Sequence, residues 1–152
     1  SLAWLWRILV TGRGGSLSTS DPARAADVSP LVLAYVGDAV WELFIRSQLV
    51  AEGGAGSRVN ELHDLAKRAV NAESQAALVH SLIEYLDDDE RDVVRRGRNV
   101  RPGHVHRTSG PADYRYATGF EALLGFLHLA GKTERLGEVL ALARRLVDGA
   151  GR

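Results

Sequence analysis

The chain contains no cysteine, which excludes disulfides, thiol chemistry and thiolate metal sites and fits a cytoplasmic protein. It contains no methionine either, so its start at Ser1 is read as a processed one. Only Lys67 and Lys132 are lysines, and nearly all the positive charge is arginine. Formal net charge is +0, so no whole-chain argument for a nucleic-acid partner holds and local patterning has to carry it. No apolar run reaches the ~20 residues of a membrane span. The apolar stretch at residues 1–10 is far too short, and it lacks the basic start and small-residue cleavage site of a secretory signal. No membrane role is expected. Long alternations of apolar and polar residues are missing, which argues against strands, and no internal repeat is present.

What remains is helical. The 152 residues suit one domain, with 45% hydrophobic and 25% charged residues as in ordinary globular proteins. A chain of this size buries roughly 68–70% of its unfolded surface and needs no staples. Residues 1–28 are read as an N-terminal extension, flexible from Thr11 to Ala26, and residues 29–148 as the folded domain. Ser29 followed by Pro30 is a helix start. The run 30–51 is apolar on almost all sides, which predicts a central, buried helix ended by Gly53, Gly54 and Gly56. Further helices are expected over 57–69, 72–86 (capped by Asn71), 87–98, 111–130 (stopped by Gly131) and 133–147. Residues 100–110 form a loop. The fold class is all-α, with about six or seven helices.

Two acids stand out in this pattern. Asp38 lies inside the apolar helix, where an uncompensated buried carboxylate costs several kcal/mol. Glu42, four residues on, shares its face. Gly37 costs roughly 1 kcal/mol of helix stability relative to alanine, so its presence points to a close approach. Glu121 repeats the theme, an acid among apolar residues beside Gly119 and Gly125. Two inward carboxylates on two helices would suit Mg²⁺, which favours oxygen ligands and needs only one or two carboxylates plus a substrate phosphate. Internal ion pairs with Arg46 or Arg115 are the alternative that spacing leaves open.

Residues 91–107 hold six arginines and two histidines against one aspartate. Arginine binds phosphate oxygens in pairs, so the segment suits a nucleic-acid backbone, with a solvated charged surface as the plainer reading. It has no aromatic residue, which favours shape reading of a duplex over base stacking. His63, His80 and His128 are read as non-catalytic. His104 and His106 lack metal-ligand company, so zinc is not expected.

Taken together, four blocks in order resemble the Mini-ribonuclease III family: residues 33–42 (LAYVGDAVWE), 59–63 (VNELH), 95–99 (RRGRN) and 114–125 (YRYATGFEALLG), within a similarity over residues 29–146. The resemblance implies a ribonuclease III catalytic fold without the double-stranded-RNA-binding module common in larger relatives. It implies a homodimer that cuts each strand of an RNA duplex, leaving a 5′ phosphate and a 3′ hydroxyl. Asp38 and Glu121 fall on the family's catalytic, Mg²⁺-binding carboxylates, with Mn²⁺ as a substitute metal. Arg95, Arg96, Arg98, Asn99 and Arg101 fall on its RNA-contacting stretch, and Glu42 takes a supporting place. The implied role is maturation of large-subunit ribosomal RNA, aided by a ribosomal protein. Leu31, Ala34 and Thr118 stand where larger ribonuclease III enzymes carry further acids. A catalytically inactive RNA-binding module in ribosome assembly is therefore the second expectation, and a purely structural helical scaffold the third.

Overall fold

The structure, a computed structural model, describes residues 22–53, 56, 58–100 and 111–150. Among the described residues there are seven α-helices and no strand. They are α1 (Pro22–Ala26), α2 (Pro30–Gly53), α3 (Val59–Val70), α4 (Ala72–Leu82), α5 (Asp88–Asn99), α6 (Pro111–Leu129) and α7 (Thr133–Ala150).

Short side chains set the helix ends. The Asn71 side chain accepts the Ser74 N–H at 2.8 Å and opens α4. Asp87 accepts the Glu90 N–H at 2.8 Å and opens α5, and that bond is the main cause holding its carboxyl below the usual range. Gly131, at φ 70°, lets the Lys132 N–H reach the Leu127 carbonyl at 3.0 Å while its own N–H reaches His128 at 3.1 Å, closing α6.

The core is built around α6, which touches α1, α2, α4, α5 and α7. Residues 117–127 are buried apart from the half-buried Glu121. Two glycine contacts set its position. A Cβ on Gly37 of α2 would overlap the Glu121 carbonyl oxygen, and one on Gly125 would overlap the Leu33 carbonyl oxygen. The two helices therefore run antiparallel, backbone against backbone, over one turn. On another side, a Cβ on Gly97 of α5 would lie 2.8 Å from the Gly119 Cα, and one on Gly119 would lie 2.7 Å from the Val94 carbonyl oxygen. Trp41, fully buried, locks this arrangement. Its ring meets Phe120 edge-on at 5.1 Å and its Nε1 donates to the Ala69 carbonyl at 3.2 Å.

An interaction not foreseen from sequence joins the far end. Arg135 of α7 donates through Nε and another nitrogen to both oxygens of Glu90, at 2.8 and 2.9 Å, and to the Tyr85 carbonyl at 2.8 Å. Glu90 is only 2% exposed, so this bidentate pair satisfies an otherwise costly buried carboxylate.

Three expectations are corrected. The helix beginning at Pro30 is not buried on all sides: Val32, Tyr35, Leu43 and Val50 form an exposed apolar stripe along it, and α6 takes the central place. A helix at the edge of a bundle meets its neighbours on one side only. The helix expected over 72–86 gives way at Leu82 to a 3-10 turn, Ile83–Tyr85, which lets Leu86 turn inward and Asp87 cap α5. The packed unit also reaches back before residue 29, because α1 buries Ala25 and the Ala26 carbonyl accepts from Arg96 at 3.2 Å. Residues 1–21 and the loop segment 101–110 lie outside the described residues.

Gly37→Ala should therefore lower unfolding free energy by about 1–3 kcal/mol or more, because the new methyl meets backbone rather than a yielding side chain. Gly137→Ala, on an exposed helical position with open space around it, should raise it by roughly 0.5–1 kcal/mol. Urea titrations of the two variants check the pair, and equal stability of Gly37→Ala and the parent chain would contradict the close crossing.

Candidate active site

A cleft of about 300 Å³ opens between α2, the α3–α4 corner and the first half of α6. Asp38 and Glu121 both line it. So do Leu31, Ala34 and Thr118, the positions at which the resemblance noted missing acids. The Thr118 hydroxyl donates back along its own helix to the Tyr114 carbonyl at 2.8 Å. Tyr35, 81% exposed, and Tyr114 complete the rim on two different helices.

The two acids meet because of the glycine crossing. Gly37 presses on the Glu121 backbone, so the residue after it, Asp38, arrives at the same turn of α6. Asp38 is exposed on its outer side rather than sunk in the core, as its apolar surroundings in the sequence had implied. Partial burial of its carboxyl, and then the charge of Glu42, push its pKa above the usual carboxylate range. Glu121 is pushed up to about 8, first by burial and then by the negative charge of Asp38, against a hydrogen bond from Gln75 that favours its ionised form. Asp38 thus ionises first, and its charge opposes the second ionisation.

Among the described residues, no arginine pairs with either acid. Arg46 pairs with Glu42 on the outer face of α2, and Arg115 is exposed on α6 without an ion pair to the cleft. Glu42 accordingly acts on Asp38 through its charge and faces outward. Among the described residues no group of three or more His, Asp or Glu side chains forms a metal-ligand cluster, so the acidic donor set of the cleft is this pair. Its donors are oxygens, and among the described residues no Arg, Lys or His lines the cleft beside them. A small hard divalent ion needs only one or two carboxylates and fits such a set.

The basic residues divide. Arg95 pairs with Asp92 at 2.6 Å, and Arg96 pairs with the same carboxylate at 3.2 Å while bracing α1. Arg98 lies 5.8 Å from the centre of the Tyr116 ring, and Asn99 is exposed at the end of α5. Arg101, His104 and His106 fall outside the described residues. His63, His80 and His128 do not line the cleft; His80 packs on Tyr116 at 4.4 Å. Gln75 was passed over in the sequence, although a polar residue on the apolar stripe of α4, beside Ala76 and Val79, was a usable signal.

Residues 31–132 match the ribonuclease III domain family. The chain is 47% identical over 126 residues to the Mini-ribonuclease 3 of Symbiobacterium thermophilum, covering 83% of this chain and 95% of that protein. The chain belongs to the ribonuclease III family, among the Mini-ribonuclease 3 proteins. The Mini-ribonuclease 3 of Brevibacillus brevis is 42% identical over 121 residues, covering 80% of this chain and 89% of that one. A Fusobacterium nucleatum protein solved by X-ray crystallography matches with a TM-score of 0.69 and 29% identity, over 78% of this chain and 93% of its own. Every residue lining the cleft lies within the span matched by the ribonuclease III domain.

The raised pKa of Glu121 sets a pH dependence. Between its ordinary 4.5 and about 8, the folded protein holds a proton that the unfolded chain has released. The stability linked to that proton is complete below 4.5 and is lost as pH rises through about 8. Melting temperature in EDTA should fall across this window, and Glu121→Gln should flatten the fall. A parallel decline in both proteins would place the titrating group elsewhere.

Proposed function

We propose that this ribonuclease III-type endoribonuclease hydrolyses phosphodiester bonds of double-stranded RNA with Mg²⁺ held by Asp38 and Glu121. The observation that carries the reading is the pair itself: two carboxylates from different helices, in one open cleft, both with raised pKa and neither matched by an arginine among the described residues. Ionising both acids here without a partner is costly, and a divalent cation would offset that cost. When bound, Mg²⁺ supplies a polarised water nucleophile and charge stabilisation for the phosphoryl group. Asp38, exposed at the cleft mouth, faces incoming substrate, and Glu121 holds the inner wall.

Arg98 and Asn99 at the end of α5, with Arg95, Arg96 and Arg101, make up the proposed phosphate-contacting stretch. Arg95 and Arg98 are the better placed of the arginines, since surface ion pairs such as Arg95–Asp92 are weak and exchangeable, whereas Arg96 braces α1. Homodimerisation is supported by the stripe Val32, Tyr35, Leu43 and Val50, an apolar surface that a single chain leaves in water. Maturation of large-subunit ribosomal RNA in the cytoplasm, with a ribosomal protein as helper, rests on family resemblance.

The deciding experiment is incubation of the protein with a labelled RNA duplex, with and without Mg²⁺. Wild type should give metal-dependent fragments, and Asp38→Asn and Glu121→Gln should lose cleavage while still shifting the duplex on a gel. Binding without cleavage under any divalent metal would instead favour the inactive RNA-binding module.

Two companion measurements probe the surfaces. Arg98→Ala should weaken duplex binding and reduce the slope of log affinity against log salt by about one. Leu43→Glu should shift the sedimenting species from dimer to monomer; an unchanged sedimentation coefficient would remove the α2 stripe as the interface.

A further inference from the structure

Among the described residues, Gln75 is the one fully buried amide that lines the cleft. It is 1% exposed, on a helix whose other buried residues are Ala76, Leu78, Val79 and Leu82. An amide among such neighbours is costly unless its hydrogen bonds are made. One is made locally, where Nε2 donates to the Val70 carbonyl at 3.3 Å. Gln75 also lines the same cleft wall as Glu121, where it favours the ionised form of that carboxyl.

The corner that carries Gln75 is itself tightly fixed. Asn71 Nδ2 donates to the Arg68 carbonyl at 2.9 Å, the Ser74 hydroxyl donates to the same carbonyl at 2.7 Å, and the Gln75 N–H reaches the Asn71 carbonyl at 3.1 Å. The side chain is thus anchored at the turn between α3 and α4, in the same cleft as the inner acid. Resting on the nuclease reading above, we propose that Gln75 is a positioning residue: held on the Val70 carbonyl, its amide fixes the Glu121 carboxylate in the orientation in which it shares a divalent cation with Asp38.

The residue type fits the task. An arginine or lysine there would neutralise Glu121 and displace the cation. A third carboxylate would add to the repulsion. An apolar side chain would leave the carboxylate free to turn. A neutral amide donates to the charged form and leaves its charge available to a metal, as groups that hydrogen-bond metal ligands commonly do.

The test uses the intact protein and two variants. Gln75→Met keeps the side-chain length and loses the donor; Gln75→Asn keeps the amide and shortens its reach. Mn²⁺ affinity is measured by calorimetry, cleavage of a labelled duplex across a range of Mg²⁺, and melting in EDTA. Both variants should lose roughly tenfold or more in Mn²⁺ affinity. The KM for RNA should stay unchanged, excess Mg²⁺ should restore kcat, and melting should stay cooperative. Folded variants with wild-type Mn²⁺ affinity and Mg²⁺ requirement would overturn the proposal while leaving the nuclease standing. Loss of the helical fold in both would assign Gln75 to the core and overturn it too. A wild-type protein that binds no Mn²⁺ and cuts no duplex would remove the nuclease reading, and this inference with it.

Discussion

The molecule depends on the crossing of α2 and α6 at Gly37 and Gly125. Each glycine faces the backbone of the opposite helix, so the helices are separated by main chain alone over one turn. That approach fixes the distance and register between two segments far apart in sequence. It also fixes what the register delivers, because the residue after Gly37 is Asp38 and the residue whose carbonyl Gly37 touches is Glu121. Two carboxyls brought together this way would repel if both were ionised, and Glu121 keeps its proton up to about 8 instead. The apolar burial around them, with Trp41 against Phe120 and Leu33, Leu123 and Leu124 fully covered, holds the crossing closed. The two acids stay close because the helices pack main chain on main chain, with no side chain between the two backbones.

The same helix couples the acids to the basic end of α5. Gly119, two residues before Glu121, rests on the Val94 carbonyl, and Gly97 rests on Gly119 in return. Arg98 follows Gly97 directly and lies over the Tyr116 ring, also on α6. One helix, gripped on two sides through glycines, therefore sets the position of the acids and of the last turn of α5. A change at Gly119 would move both together. Arg96 carries the order further, bracing α1 through the Ala26 carbonyl, which explains why a segment read as part of an extension is packed on the domain.

Helix positions were legible because they follow from local chemistry: a period of 3.6, Asn71 and Asp87 at the starts, Gly131 at a stop. Asp38 and Glu121 were legible because a carboxylate in an apolar helix is costly, so each announced a function or a partner. Which helix lies at the centre was not legible. Both α2 and α6 are apolar on nearly every side, and only the tertiary arrangement leaves Val32, Tyr35, Leu43 and Val50 in water while burying α6. The Glu90–Arg135 pair was hidden for the same reason, since its partners lie on different helices and nothing in the local pattern marks them. Gln75 was within reach. A glutamine at a core position of an amphipathic helix poses the same question as a buried acid, with a smaller cost and hence a fainter signal.

The difference between the two acids follows from their places at the crossing. Asp38, beside the exposed stripe of α2, keeps enough water to ionise first. Glu121, against the α3–α4 corner and facing an ionised neighbour, retains its proton up to about 8. In the nuclease reading Glu121 would have to release that proton to hold a divalent cation, so affinity for the metal would rise with pH. The hydrogen bond from Gln75 lowers the cost of that step without supplying charge of its own. In the same reading an arginine in its place would neutralise Glu121 and compete with the cation, so the capacity of the cleft for a cation would depend on acids that no cation pairs with among the described residues.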